Sequence, residues 1–402
     1  MTRDTAIFSA GELAGRAERL RERLDDRGLD AFLATSYPNS YYLSGAPIHP
    51  FGRPIATIIP RKGEPAMVIS VIEIEHVRVQ TWIEDIRLYW DFNPTPDMQD
   101  PRPPLTSMGV HLSTLIADRG LSRARIGYED ATLPVAHLRA LQEAMPAVQF
   151  EPASDLVDRL RLVLSGEELA FLRAADDVAR VGQRWMLESM RNGASAQELE
   201  RGAREAMKAA ALSRYPEAAF ALRAWPGIAA DARGSGHSEW ASWGPQDKLR
   251  PGQIATGVLD CVLWGYTGNI ERTVVIGEPS SRVRRDFETM IEARERAIKA
   301  VRPGVRLREI DAICKQVFSR HGHETRTGSG VGRGLISYEG NHRILAMDMR
   351  PYNDLVLEAG MAFSVEPDLQ TEDGTYRHCD TVIVTAGGNE IDSSVERGVL
   401  VR

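Results

Sequence analysis

Cysteine is scarce in this chain: Cys261, Cys314 and Cys379 make up its complement of three. An odd number at wide spacing gives neither a disulfide framework nor a C-x-x-C zinc knuckle, so a reducing cytoplasm is the expected compartment. Long apolar runs are missing too. No stretch reaches the roughly 18 apolar residues of a bilayer span, and the N-terminal MTRDTAIFSAGELAGRAERL lacks the apolar core of a signal peptide. Membrane insertion and secretion are therefore not expected. Positive charge is not in excess, since 49 Lys+Arg stand against 56 Asp+Glu for a formal charge of −7. Nucleic-acid binding needs a clustered basic surface, so that class is set aside.

What is present is a chain of 402 residues with 43% apolar content, enough for two or three cored domains at roughly 150 residues each. Ser9-x-x-Glu12 reads as a capping box opening an amphipathic helix that ends near Gly28. Short β-rich runs follow, at Asp30 to Ala34, Ile55 to Ile59, Ala66 to Ile69, Ile86 to Trp90 and Arg125 to Tyr128, separated by helical stretches at Leu105 to Arg119 and Val135 to Met145. Alternation of this kind predicts an α/β domain over residues 1–160. Five prolines in Asn93 to Pro104 mark a surface loop within it.

Capping boxes at Ser165-x-x-Glu168 and Ser195-x-x-Glu198 then open two longer helices, to about Arg191 and Leu212. Beyond them the pattern is of paired strands (Ile254 to Tyr266, Ile270 to Ile276, Met361 to Leu369, Tyr376 to Thr385) and paired helices (Ser281 to Val301, Leu307 to His321). The prediction for residues 161–402 is an α+β domain with a curved antiparallel sheet covered by helices. Asp260, Asn269 and Glu271 interrupt the strand pair, and a buried carboxylate is costly unless paired or protonated, so these are site candidates.

Several segments resemble the creatinase, prolidase and methionine aminopeptidase family, the pita-bread fold: Gly265-Tyr266, the ERT of Glu271 to Thr273, VRPGV from Val301, Gly328-Ser329-Gly330-Val331-Gly332, LEAGMAFSVEP from Leu357 and DTVIVT from Asp380. Family peptidases hold two metal ions with two Asp, one His and two Glu, ligands suited to hard divalent cations. Laid on this chain, those positions fall at Val258, Asn269, Val331, Glu366 and Cys379. Of the five, Glu366 alone keeps its type, so no catalytic metal and no other cofactor is expected.

The resemblance is nearest to the metal-independent creatinase branch. PFGRPIA, from Pro50, is similar to the loop in which Phe51 and Arg53 would reach a partner subunit's site and hold a substrate carboxylate, implying a homodimer. His237, in RGSGHSEW, matches the histidine that takes a proton from water and returns it to the leaving nitrogen. Glu271 and Glu366 complete the catalytic set. Tyr266, Asp260, Arg343, His378, Asp380 and Arg397 join Phe51 and Arg53 as substrate contacts, His378 standing where creatinase has a second glutamate. Cys379 as a thiolate nucleophile is the weaker alternative to inert packing.

The function expected from this resemblance is hydrolysis of a C–N bond (amidine, guanidine or amide) in a small carboxylate-bearing compound. Alternatives on the same fold are a lyase or ring-opening hydrolase, with a dimethylsulfoniopropionate- or ectoine-type substrate, and a non-catalytic peptide-binding protein.

Overall fold

Ser9 accepts the N–H of Glu12 and starts α1 (Ala10–Arg27), which stops at Gly28. A side-chain cap of this kind contributes about 1 kcal/mol. The computed structural model describes residues 6–47, 53–91, 105–218, 220–229, 246–325, 327–335, 347–392 and 394–402. The chain divides into two units, Met1–Arg161 and Leu162–Arg402. No helix among the described residues is long and apolar enough to cross a membrane.

In the first unit β1 (Ala31–Ala34), β2 (Ala56–Pro60), β3 (Ala66–Ser70), β4 (Asp85–Tyr89), β5 (Arg125–Tyr128) and β6 (Gln149–Pro152) form one sheet in the order β4-β3-β2-β1-β5-β6. Its pairs are parallel except β1–β2 and β2–β3, so the α/β expectation holds with an antiparallel centre. Helices α2 (Tyr37–Ser44), α3 (Ile74–Gln80), α4 (Met108–Asp118), α5 (Val135–Ala144) and α6 (Ser154–Leu162) alternate with the strands. The proline-rich loop lies mostly outside the described residues.

The second unit opens with α7 (Gly166–Ser189) and α8 (Ala196–Arg214), and both capping boxes are closed reciprocally by Ser165 with Glu168 and by Ser195 with Glu198. Next come β7 (Phe220–Ala229), β8 (Ile254–Leu263) and β9 (Tyr266–Val275), an antiparallel sheet. Helices α9 (Ser281–Ala300) and α10 (Leu307–Arg320) precede β10 (Ala362–Ser364), β11 (Leu369–Thr371), β12 (Gly374–Tyr376), β13 (Thr381–Thr385) and β14 (Gly388–Ile391). Strands β10, β13 and β14 form a second antiparallel sheet, and β11 pairs with β12. The helix-covered antiparallel architecture is the one predicted.

The predicted strands of this unit differ from the observed ones in two ways. The hairpin turns at Trp264 and Gly265, both at positive φ (49° and 86°), so β9 begins at Tyr266, earlier than the apolar pattern suggested. The runs Met361 to Leu369 and Tyr376 to Thr385 each split, because the chain around Glu366 and Cys379 leaves its own sheet to pair elsewhere.

Both faces of the β8–β9 hairpin are covered. On one face Ala255, Leu259, Cys261, Ile270 and Val274 pack with Ala175, Val178, Ala179 and Met186 of α7. Gly268 permits this closeness, since a Cβ there would lie 2.2 Å from the backbone nitrogen of Asp176. On the far side Phe287, Met290, Ile310 and Cys314 of α9 and α10 share a core with Phe363, Val382 and Val384. The polar face of the hairpin is where the chemistry-bearing residues gather.

Candidate active site

Directly paired residues of an antiparallel ladder project to the same face. Asp260 pairs with Asn269, and Val258 with Glu271, so these four residues form one block on the hairpin face opposite α7. Asn269 Nδ2 donates to Asp260 Oδ1 at 2.7 Å. The neighbour of Asn269 is thus Asp260 rather than Val258, the residue that the family spacing selected. The tight turn at Trp264–Gly265 sets this register.

Glu271 pairs in turn with Cys379, exchanging backbone hydrogen bonds at 3.1 and 3.0 Å. Alternation then sends Arg377 and Cys379 to the Glu271 face and His378 and Asp380 to the other. Arg377 Nε lies 2.5 Å from Glu271 Oε2, and the Cys379 thiol donates to Asn269 Oδ1 at 2.9 Å.

The glycine run supplies the opposite wall. Ser364 N–H donates to Val331 O and Glu366 N–H to Ser329 O, each at 2.8 Å. A Cβ on Gly330 would stand 2.1 Å from Ser364 O, so this pairing requires glycine there. It places Glu366 beside Glu271 and Cys379, and one ligand-type atom from each of the three lies within 4.8 Å of the others. Arg333, next along the run and 1% exposed at its side chain, enters the same space: its Nη2 lies 2.6 Å from Asn269 Oδ1, 3.6 Å from Cys379 Sγ and 3.6 Å from Glu366 Oε2.

Burial dominates the electrostatics. It raises the Glu271 carboxyl above its ordinary 4.5, opposed by Arg377 and reinforced by Glu366. Burial also pushes the Cys379 thiol well above its ordinary range, with Glu366 and Glu271 adding to the shift. Cys379 is accordingly a neutral hydrogen-bond donor and not a thiolate.

Four expected substrate contacts are corrected by the direction of their side chains. His378 is fully buried on the other face: Thr273 N–H donates to its Nδ1 at 3.2 Å, and its Nε2 reaches Gly398 O at 3.1 Å. Burial, Arg272 and Arg294 hold its pKa well below the ordinary value, so it is neutral packing against Phe287. Asp380 is bound by Arg272 at 2.9 Å and by Arg294. Arg397 reaches Glu295, the neighbour of Arg294, at 3.8 Å. The Tyr266 hydroxyl donates to Glu168 Oε1 at 2.7 Å on the α7 face.

Asp260 and Glu366 both lie close enough to Glu271 to raise its carboxyl, so the three acids share one space. Arg53, in the first unit, pairs with Asp91 at 2.8 Å. His237, Phe51 and Arg343 lie outside the described residues. Sequence reasoning missed Arg333 and Arg377. Both stood in plain view, the first closing the glycine run and the second two residues before Cys379, the same face of an extended segment.

A dinuclear metal site does not fit these residues. Val258 has no donor atom, Asn269 is a neutral amide, the Cys379 thiol is held protonated, and the two glutamates face guanidinium groups. A metal ligand must be deprotonated and free to approach the ion, and a resident guanidinium opposes any second cation.

Behind the site, Asp176 of α7 accepts from Asn269 N–H at 3.1 Å and from Thr381 Oγ1 at 2.9 Å, tying β9 to β13. Burial pushes its carboxyl from the ordinary 3.8 up to about 7. Because the folded-state pKa is raised, the stabilising neutral form is fully present below pH 3.8 and its contribution is lost as pH rises towards about 7. Each unit in that window removes at most about 1.4 kcal/mol. Asp176→Asn keeps an acceptor and removes the titration, so the variant should gain stability relative to the parent between pH 5 and pH 8, on the order of 1–3 kcal/mol in urea unfolding. An unchanged difference at the two pH values would show that Asp176 does not titrate in this way.

Comparison with known proteins identifies the family. The model of metallopeptidase family M24 matches residues 170–386, and that of the creatinase/prolidase N-terminal domain matches residues 16–163. Creatinase of Bacillus sp. (strain B-0618) is 26% identical over 393 residues, covering 95% of this chain and 90% of that protein. An Xaa-Pro dipeptidase of Pyrococcus horikoshii is 20% identical over 393 residues, covering 96% and 98%. Among solved structures, dipeptidase PepE from Mycobacterium ulcerans superposes with a TM-score of 0.78 at 24% identity, covering 98% of this chain and 99% of that one. Prolidase from Pyrococcus horikoshii OT3 gives 0.76 at 20%, covering 96% and 100%. The chain belongs to metallopeptidase family M24, with a creatinase/prolidase N-terminal domain ahead of the pita-bread domain that carries the site.

Proposed function

We propose that this member of the creatinase/prolidase hydrolases cleaves a C–N bond in a small carboxylate-bearing compound without a catalytic metal. The observation that carries the reading is the donor set: Asn269 and a protonated Cys379 beside two glutamates, each facing a buried guanidinium. Many relatives are dipeptidases, the Xaa-Pro dipeptidase of Pyrococcus horikoshii among them. A dinuclear metallopeptidase needs carboxylates where this chain has an amide and a thiol.

Glu271 and Glu366 would hold the reacting nitrogen, and His237 would take a proton from the attacking water and return it to the leaving amine. Because both glutamates already face internal cations, the group they receive is better matched by a neutral amide than by a guanidinium or amidinium, either of which would add a third positive charge. The substrate's carboxylate would be anchored by Arg53 with Phe51 from a neighbouring copy, as in the creatinase resemblance, and homodimerisation belongs to the same reading.

The test is turnover by metal-stripped protein in heavy-oxygen water, screened over small guanidino, amidino and cyclic amino acids. Hydrolysis places the label in the product, and elimination leaves it unlabelled. Activity that appears only on adding divalent metal to stripped protein would refute the proposal.

A further inference from the structure

We infer that the guanidinium of Arg333 is a permanent cation built into the floor of the site, occupying the place of a divalent ion, and that a latent metal-binding site lies beneath it. The place of this guanidinium does not depend on which bond the protein cleaves. Asn269, Glu366 and Cys379 converge from β9, from the segment after β10 and from the segment before β13. Arg333 Nη2 stands among all three, at 2.6, 3.6 and 3.6 Å, on a side chain 1% exposed. Asp260 holds Asn269 from behind at 2.7 Å, so the amide oxygen is turned towards the guanidinium. The Glu366 carboxylate and the Asn269 amide oxygen are donors that coordinate a hard divalent ion once the competing charge is gone, while the Cys379 thiol stays a protonated neighbour. A guanidinium cannot lose its proton in this setting, which makes the exclusion permanent rather than pH-dependent.

The backbone explains why Arg333 points there. Its N–H is held by Ala362 O at 2.8 Å, and Gly332 forms a bridge with Phe363. The glycine run is thereby docked along β10, and its next side chain is directed under Glu366. Arg377 provides the second positive charge on Glu271 from a different strand segment, so it is a natural control.

Metal uptake by the full chain tests the inference, using Mn2+ and Zn2+ as probes, with elemental analysis and calorimetry as readouts. Wild type and Arg333→Lys, which keeps the charge, should take up neither ion. Arg333→Ala and Arg333→Gln should each bind about one ion per chain, with a rise of several degrees in thermal midpoint that wild type does not show. Adding Glu366→Gln to either neutral variant should abolish the uptake. The Gln variant guards against failure of Ala to fold, since it keeps the packed stem of the side chain while leaving the place of the guanidinium vacant, and folding is checked by circular dichroism. Metal binding by wild type at micromolar concentration, or a folded neutral variant that binds none, would overturn the inference. Because the readout is metal binding, its failure is distinguishable from failure of the hydrolase reading, which is judged by labelled product.

Discussion

Asp380→Ala should lower the free energy of unfolding by about 3–5 kcal/mol. Asp380 receives Arg272 Nη2 at 2.9 Å on Oδ1 and Arg294 on Oδ2, and the side chains of Arg272, Arg294 and Asp380 are 0%, 1% and 6% exposed. Removing the carboxylate leaves two guanidinium groups in low dielectric with their shared counter-charge gone. Burial already pulls the Arg294 pKa below its ordinary value, and Asp380 is the strongest influence restoring it. Arg272 retains the backbone carbonyls of Glu271, Cys379, Val395 and Glu396, which moderates the loss. A control is the pair Arg173–Glu390, whose side chains are 46% and 44% exposed. Breaking that pair should change stability by less than about 1 kcal/mol. Chemical unfolding of both variants checks the contrast, and equal effects would contradict the assignment of Asp380 to the core.

The same residue shows how far the site could be read in advance. The N-cap at Ser9 and the capping boxes at Ser165 and Ser195 were legible because their hydrogen bonds span three residues, and the helices they open followed. The resemblance located Glu271 and Glu366 because each carries its own motif. It placed His378 and Asp380 at the right point along the chain, yet alternation about the Glu271–Cys379 pairing turns both away. That pairing joins residues 108 positions apart (379 − 271), and no local pattern specifies it. Val258 was selected over Asp260 as the neighbour of Asn269 for a related reason: the family spacing assumes one hairpin length, and the turn at Trp264–Gly265 is set by backbone conformation. Arg333 and Arg377 were overlooked because arginine next to a glycine run or in a loop ordinarily reads as surface. Their burial is intelligible only once the two glutamates are seen beside them.

Glu271→Gln should reduce turnover on the true substrate by about 10²–10⁴-fold while leaving the fold intact. Glutamine preserves the shape and one acceptor oxygen, and the backbone pairing of residue 271 with Cys379 does not depend on its side chain. What disappears is a carboxyl whose pKa is raised by burial towards the pH range in which proton transfer is efficient. A carboxyl that must be ionised to hold the reacting nitrogen while His237 moves the proton makes the rate depend on its own titration, whereas an amide supplies neither the charge nor the titration. The parent should therefore show a limb in its pH–rate profile displaced upward from the ordinary carboxylate range, and the variant should lack it. Arg377 would lose its partner at 2.5 Å, so the variant's affinity for an anionic substrate should hold or rise, giving a fall in kcat with KM unchanged or lowered. Steady-state kinetics across pH 5 to 9, with circular dichroism to verify folding, measures both. A variant within tenfold of the parent in kcat, with the same pH limb, would remove Glu271 from the chemistry and leave it as a counter-ion for Arg377.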